Sequence, residues 1–171
     1  MGFIDTFGTF GVVEGDKNFL SVFYNVVHAV GENCPNLRED VMLVQYLLYS
    51  VYQPLPQIYK PKGEMTIDGI CGGITKNWIL KFQLDVRSGG NSIQCDKRVD
   101  RIRDKNGMVG SLSGKYYTLA YLNLYVAETN PEAYARMPQV VPLENPLNIP
   151  PPSSDIFVPA VPQMIPAVGG L

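Results

Sequence analysis

Residues 65–75 read Met-Thr-Ile-Asp-Gly-Ile-Cys-Gly-Gly-Ile-Thr, a composition typical of a tight turn that leads into a helix. Asp68-Gly69 favours such a turn because glycine tolerates a positive φ and the aspartate side chain can bond to its own backbone. We expect the apolar Ile70 to tuck inward and Gly72 to lie at or near the helix start. The same pattern returns thirty-eight positions later, in Asn106-Gly107-Met108-Val109-Gly110.

Apolar periodicity around these turns predicts three helices, and so a mainly α protein. The first covers about residues 37–52, begins with a capping box at Asn36–Glu39 and is stopped by Pro54. The second covers 74–84, and the third runs from about 113 to 128. Their apolar stripes, spaced as on one helix face, are Val41, Val44, Leu48 and Val51; Ile74, Trp78 and Phe82; and Leu119, Leu122 and Val126.

Residues 1–33 form an N-terminal segment of a different character. Glycine and phenylalanine dominate residues 1–17, which predicts an irregular or β-like lead-in. From Phe19 to Val30 the apolar spacing favours an amphipathic helix that Gly31 would end. The many β-branched residues of this run leave a strand open as the alternative.

Three further stretches combine with the first turn into a larger pattern. These are Asp40-Val41-x-x-Val44-Gln45-x-Leu47-Leu48, Ile79-x-x-Phe82-Gln83 and Thr118-Leu119-x-x-Leu122-Asn123. Together with 65–75 and 106–109 they resemble the peptidoglycan-binding domain family, over about residues 34–125. That family has a helix with V-x-x-L-Q-x-L-L, a loop ending in V-D-G-I-F-G-P-x-T and a helix closing with F-Q. In one branch a D-G-x-V-D-P-G-G-x-T-L-x-x-L-N segment follows that last helix. Here Cys71 stands for the usual Phe, Gly73 for Pro and Asn106 for Asp.

The resemblance implies a small orthogonal three-helix bundle over residues 34–130 and a non-catalytic module. Such modules occur in phage tails, contractile injection systems and cell-wall proteins. The candidate ligand-binding residues that it implies are Asp68, Gly69, Gly72 and Thr75, to which we add two tyrosines placed for exposed stacking, Tyr46 and Tyr59. Most of these have an equally direct structural role, since Asp68 and Gly69 make the turn. Gln45 and Gln83 are expected to tie loop backbone groups together, and Trp78 to lie in the core.

Residues 131–171 form a proline-rich, apolar C-terminal arm that holds ten of the fourteen prolines. An extended apolar segment of this kind can dock on a groove with little loss of entropy; a disordered tail is the alternative. The predicted third helix is apolar on both faces, so it is either central in the bundle or receives on one face a partner or the chain's own tail. The candidate assembly contacts are Tyr117, Tyr121 and Leu124 on that helix and Ile156, Phe157, Val158 and Ile165 in the arm.

Several classes of function are disfavoured. A net charge of −2 without any basic block argues against nucleic-acid partners. One histidine, His28, and three scattered cysteines predict neither a metal site nor another cofactor, and no constellation of residues suggests an enzyme. The first residues lack the features of a secretory signal, and no run is long enough to insert into a membrane. Synthesis in the cytoplasm, with later incorporation in a virion or injection particle, is therefore expected.

Two hypotheses of function follow. In the first, the chain is a peptidoglycan-binding-like module within a larger assembly, with peptidoglycan and protein subunits as partners. In the second, it is a purely structural protein that uses the fold and the C-terminal arm for subunit contacts and does not bind the cell wall.

Overall fold

A computed structural model describes residues 2–6, 22–103 and 113–143 of the chain. Along the chain the elements are β1 (Phe3–Thr6), β2 (Val22–Asn25), β3 (Val30–Gly31), α1 (Arg38–Tyr52), a short 3-10 helix (Gln57–Tyr59), α2 (Gly73–Ser88), β4 (Arg98–Val99), α3 (Thr118–Thr129) and α4 (Pro131–Val140). The expected mainly α class is confirmed. The described residues hold four α-helices, so the specific three-helix bundle stays a prediction.

Helix α1 lies at the centre of the molecule and packs against α2, α3 and α4. Between Leu43 and Tyr52 every residue of this helix is buried except Tyr49. A helix that is buried nearly all round is a core element rather than a surface helix. The predicted α1 and α2 are confirmed, and α2 continues to Ser88, beyond the expected end at residue 84.

The predicted helix at Phe19–Val30 is wrong, because Val22–Asn25 is a strand. This strand, β2, pairs antiparallel with β1, with Phe3 opposite Asn25. The Tyr24 amide also donates to Asn123 Oδ1 of α3 at 2.7 Å. Because these partners lie far away along the chain, the local apolar spacing could not show them, and the β-branched composition was the better signal.

The predicted capping box at Asn36 is also wrong. Asn36 has a φ of +52°, and its side-chain amide donates to the carbonyls of Gly31 and Cys34. The N-cap residue of α1 is Leu37, and no side chain caps the helix there. Asp40, buried in the first turn, instead accepts hydrogen bonds from the Val27 and His28 amides at 3.1 and 2.9 Å. The side chains of Asn36 and Asp40 therefore bond to the preceding loop and do not cap the helix.

Residues 131–140, which the composition placed in the arm, form α4. Asn130 caps this helix by accepting from the Ala133 amide, and Pro131 follows at its first position, where proline is well tolerated. Tyr134, Met137 and Val141 are buried in the common core. This corrects the expected start of the arm, because the packed part of the chain continues past residue 130 to at least Val141.

Helix α3 is buried on both of its apolar faces, and α4, which comes from the segment expected to be the arm, packs against it. Leu119, Leu122 and Val126 are fully buried on one side, and Tyr121 and Leu124 are buried on the other. The helix begins at Thr118 rather than near residue 113.

A short antiparallel pair, in which Val30 lies opposite Val99, joins β3 to β4 beside α2. In the described residues no helix is both long and apolar enough to cross a membrane.

Candidate functional site

The Asp68 side chain organises its own turn. Its Oδ1 atom accepts hydrogen bonds from the Ile70 amide at 2.9 Å and from the Gln45 side chain at 3.0 Å, and Oδ2 accepts from the Thr66 hydroxyl at 3.0 Å. Hydrogen bonds of this kind favour the ionised form. They lower the pKa of Asp68, the Ile70 amide contributing most and Gln45 next. The exposed turn therefore presents a carboxylate to solvent.

Gln45 is a buried side chain of α1 that ties this turn to the start of α2. Its Nε2 atom lies within hydrogen-bond distance of Asp68 Oδ1, the Ile70 carbonyl at 3.1 Å and Thr75 Oγ1 at 3.2 Å. Its Oε1 atom accepts from the Gly69 amide at 2.9 Å. The prediction that this amide ties loop backbone groups together is confirmed. The turn is thus held rigidly against two helices.

Gly69 is required by both conformation and space. Its φ is +77°, in the left-handed region that favours glycine. A Cβ atom at this position would lie 2.4 Å from Arg38 Cγ and 2.8 Å from the Arg38 carbonyl oxygen. Since its amide is also bonded to Gln45, Gly69 shapes the turn and offers a ligand little to bind.

Two other candidate residues lie where the turn meets α2. Thr75 is 3% exposed, and its hydroxyl donates to the Ile70 carbonyl at 3.3 Å, so its role is structural. Gly72 is exposed and is the N-cap residue of α2, which no side chain caps. An open cleft of about 170 Å³ lies along this helix start. We call it the turn cleft; its lining includes Asp68, Ile70, Gly72, Gly73, Ile74 and Thr75.

Ile70 and Ile74 face solvent beside the turn cleft, with exposures of 67% and 45%. The expectation that Ile70 tucks inward is wrong. The residue that does pack against the core here is its half-buried neighbour Cys71. Two isoleucines at the surface beside an ionised carboxylate give this edge both apolar and polar contacts for a ligand.

The two candidate tyrosines lie away from the turn cleft. Tyr46 is buried, its hydroxyl donates to the Ala133 carbonyl at 2.9 Å, and burial raises its pKa. The prediction that it is exposed for stacking is wrong, because α4 covers that side of α1. Tyr59 is half-buried at the end of the 3-10 helix and lines neither the turn cleft nor the cleft described next.

A second open cleft, of about 610 Å³, lies between the loop after α1 and the side of α2. We call it the loop cleft; its lining includes Tyr49, Gln53, Gln57, Lys60, Glu64 and Trp78. The loop is fastened by Lys60, which donates to the Gln53 carbonyl at 3.0 Å, and by the Trp78 indole, which donates to the Gly63 carbonyl at 3.3 Å. Glu64 and Met65 line both clefts, so the two adjoin.

Sequence reasoning missed most of the loop cleft. The only indications of the loop cleft in the sequence are the length of the loop after α1 and the presence of Lys60 in that loop. Trp78 is confirmed as a core residue, since it is 5% exposed and packs edge-on against Tyr52 at a ring-centroid distance of 5.5 Å. Its remaining edge nevertheless lines the cleft. Tyr49 was not singled out because the apolar pattern of α1 does not show which residue the neighbouring elements leave uncovered.

Gln83 of α2 repeats the role of Gln45. Its Nε2 atom lies 3.1 Å from Asp96 Oδ1, 2.8 Å from the Arg98 carbonyl and 3.1 Å from Thr118 Oγ1. Its Oε1 atom accepts from the amides of Asp96 and Lys97 at 3.1 and 3.0 Å. The prediction for this second amide is confirmed as well. Each glutamine therefore connects its helix to a turn and to the start of the next helix.

The turn at Asp96–Arg98 reproduces the turn at Asp68–Ile70 in detail. Asp96 Oδ1 accepts from the Arg98 amide at 3.0 Å, as Asp68 does from Ile70. Lys97 has a φ of +62° where the first turn has Gly69. The repeat expected at Asn106–Gly110 lies outside the described residues. The counterpart at 96–98 escaped notice because a lysine, not a glycine, takes the left-handed position.

Titratable groups elsewhere do not build a metal centre within the described ranges, where no group of three or more His, Cys, Asp or Glu is placed to hold an ion. The His28 side chain is 49% exposed, with Nδ1 3.9 Å from Asp40 Oδ2. Cys34, Cys71 and Cys95 are free and half-buried. Burial raises the pKa of each thiol.

The residues predicted as assembly contacts fall into two groups. Tyr121 and Leu124 are buried within this chain, and the Tyr121 hydroxyl donates to Asn91 Oδ1 at 2.6 Å. We therefore correct their assignment from assembly surface to core. Tyr117 is half-buried immediately before α3. The candidates in the arm, Ile156, Phe157, Val158 and Ile165, lie outside the described residues.

No protein-family model matches this chain, and searches of curated proteins and of solved structures returned no match. The resemblance to the peptidoglycan-binding domain family therefore stays a prediction carried by the sequence motifs.

Proposed function

We propose that the chain is a non-catalytic, peptidoglycan-binding-like module that works as a component of a larger assembly, such as a phage tail or a contractile injection particle. One observation carries the proposal. The turn cleft combines an ionised carboxylate, Asp68, with the uncapped start of α2 at Gly72 and with exposed isoleucines. Such a surface suits a peptide that has both charged ends and small apolar side chains.

The chemistry of the turn cleft matches a cell-wall stem peptide. The first amides of an α-helix have no partner within the helix and lie at its positive end, so they favour a carboxylate or a carbonyl oxygen. Asp68 favours an amide or ammonium donor. Ile70 and Ile74, exposed beside these polar groups, offer contacts for methyl groups. The ligand is thus held by hydrogen bonds and small apolar contacts, without any bond being broken.

Rigidity supports a binding role. Gln45 holds the turn through Asp68, Gly69 and Ile70, so the cleft has its shape before a ligand arrives. A preorganised site loses less entropy on binding than a loop that must order itself.

Sedimentation with purified cell-wall sacculi tests the proposal. We expect the full chain to co-sediment at moderate salt and the variants Ile70→Ser and Ile74→Ser to be retained less. Leu84→Ser is the matched control, because Leu84 is also a half-exposed apolar residue of α2 (39%) but does not line the turn cleft. No retention of the full chain, or equal retention of all variants, would contradict the proposal. The sacculi should release no soluble fragments during the incubation.

A purely structural role is the second candidate, and the exposure of Ile58 favours it. This residue of the 3-10 helix is 83% exposed, and we propose it as a contact point for a neighbouring subunit. Under this alternative Ile58→Ser weakens association with other subunits, measured by sedimentation velocity, while sacculus binding is absent in every variant.

A further inference from the structure

Tyr49 occupies a special place on the central helix. From Leu43 to Tyr52 it is the one exposed residue of α1, with 41% of its surface accessible. The rest of this stretch is covered by neighbouring elements. The opening above Tyr49 is the loop cleft, so an aromatic ring forms part of the wall of a mainly polar cavity.

The other side chains of the loop cleft are mainly polar. Gln53, Gln57 and Glu64 occupy exposed positions, and Lys60 is half-buried on the same loop. An amide side chain donates and accepts hydrogen bonds at once, as the neighbouring hydroxyl groups of a sugar do. Pockets for apolar ligands are lined mostly by hydrophobic groups, so this lining argues against such a ligand.

Besides the Tyr49 ring, the apolar residues that line the loop cleft are Pro61, Met65 and Trp78. Met65 and Trp78 are exposed to 6% and 5%. The exposed apolar surface of these two residues can contact a methyl group, such as that of an acetamido substituent, but is too small for an extended apolar ligand. The cavity volume of about 610 Å³ lies within the range of small-ligand pockets.

We propose that the loop cleft binds a glycan, specifically an N-acetylated oligosaccharide whose ring packs on Tyr49. Its hydroxyl groups bond to Gln53, Gln57 and Glu64. This inference rests on the proposed function, because a wall polymer joins sugars to peptides and the two clefts share Glu64 and Met65. The sugar occupies the loop cleft and the stem peptide the turn cleft.

Trp78 provides a direct readout, since it is the only tryptophan of the chain and lines the loop cleft. The full chain is titrated with a β-1,4-linked tetramer of N-acetylglucosamine while the tryptophan fluorescence is followed, and calorimetry is run in parallel. We expect a saturable change in both signals. Tyr49→Ala should weaken binding roughly fivefold to tenfold, the effect of losing one aromatic contact.

Matched variants locate the binding site. Tyr49→Phe keeps the ring and should bind within about twofold of the unaltered chain. Tyr117→Ala removes a half-buried tyrosine outside the loop cleft and should leave binding unchanged. Thermal unfolding of each variant, followed by circular dichroism, separates lost binding from lost folding.

The outcomes separate this inference from the proposed function. Retention on sacculi that depends on Ile70 and Ile74, with neither a fluorescence change nor heat from the tetramer, overturns the glycan site and leaves the proposed function standing. Tetramer binding that Tyr49→Ala weakens, without retention on sacculi, supports the glycan site and contradicts the proposed function. Tetramer binding that is equal in Tyr49→Ala and the unaltered chain overturns the assignment to this cleft.

Discussion

Lys97 carries a cost that its counterpart Gly69 does not. Both residues adopt a positive φ, +62° and +77°, and both amides are bonded to a buried glutamine. For a residue with a Cβ atom the left-handed conformation costs roughly 1–2 kcal/mol. The second turn is therefore held by its surroundings against the preference of its own residue.

Replacing this lysine tests that statement. We expect Lys97→Gly to raise the free energy of unfolding by about 0.5 kcal/mol, since relief of the conformational cost slightly exceeds the added entropy of the unfolded chain. Urea unfolding measures the change. Lys115→Gly is the control, because this exposed lysine does not have a positive φ, and glycine there should be neutral or destabilising. A loss of stability in Lys97→Gly would contradict the account.

The buried glutamines are the residues on which both turns depend. Gln45→Leu keeps a similar volume but removes the groups that bond to the Gly69 amide and the Ile70 carbonyl. Leaving the buried Gly69 amide without its partner costs about 1–3 kcal/mol, whereas the Ile70 carbonyl keeps the Thr75 hydroxyl as a donor, so we expect a total loss of roughly 1–3 kcal/mol. Urea unfolding of Gln45→Leu measures this loss. Gln139→Leu, at an exposed position of α4, should change stability by less than about 0.5 kcal/mol.

At the scale of elements, a proline explains how α4 joins the core. Pro138 has no amide hydrogen, so the helix cannot supply the usual donor to the Tyr134 carbonyl four residues earlier. The Tyr24 hydroxyl of β2 donates to that carbonyl at 2.9 Å. The two tyrosine rings also pack edge-on at 4.9 Å. A local defect of the helix is thus used for a contact between elements that are distant in sequence.

A double-mutant cycle tests this coupling between β2 and α4. Tyr24→Phe should cost about 1–2 kcal/mol, because the bond to the Tyr134 carbonyl is lost. In a Pro138→Ala background the helix supplies its own N–H group to that carbonyl, so the same change should cost clearly less. Chemical denaturation of the four proteins gives the coupling energy. Equal costs in both backgrounds would show that the proline does not matter to the contact.

At the scale of the whole molecule, the strands and the last helix belong to one core. Tyr134, Met137 and Val141 are buried together with Tyr24 of β2 and with Tyr46 of α1. Full burial of one such large side chain contributes about 1.5–3 kcal/mol. The three residues from 134 onward therefore contribute an amount comparable with the net stability of a typical domain, roughly 5–15 kcal/mol.

Two truncations test where the folded body ends. A chain that stops after Leu143 keeps all of these core residues, and we expect it to unfold cooperatively within about 5 °C of the full chain. A chain that stops after Asn130 lacks α4 and should show no cooperative transition. Circular dichroism on heating measures both. A cooperative transition in the shorter chain would place the boundary at residue 130, where the composition changes.

The elements that could be predicted are those with local causes. The stripe from Val41 to Val51 predicts α1, and Asp68-Gly69 predicts the turn, because helix periodicity and side-chain bonds to the nearby backbone depend on neighbours in sequence. The candidate site was predictable to the same extent. Asp68 and Gly72 are where the pattern expects them, whereas the loop cleft combines a loop with the sides of two helices.

By itself the sequence determined the mainly α character, the first two helices and the Asp68 turn. Only the tertiary structure decided that the turn recurs at Asp96–Arg98, since a buried glutamine can hold even a lysine in the left-handed conformation. Only it decided that Asp68 lines an open cleft while the neighbouring Gly69 is buried. The tertiary structure also decided that, of two tyrosines on α1, Tyr46 is buried and Tyr49 is exposed. Which side of a helix is covered depends on elements packed from elsewhere in the chain, and a local pattern does not contain that information.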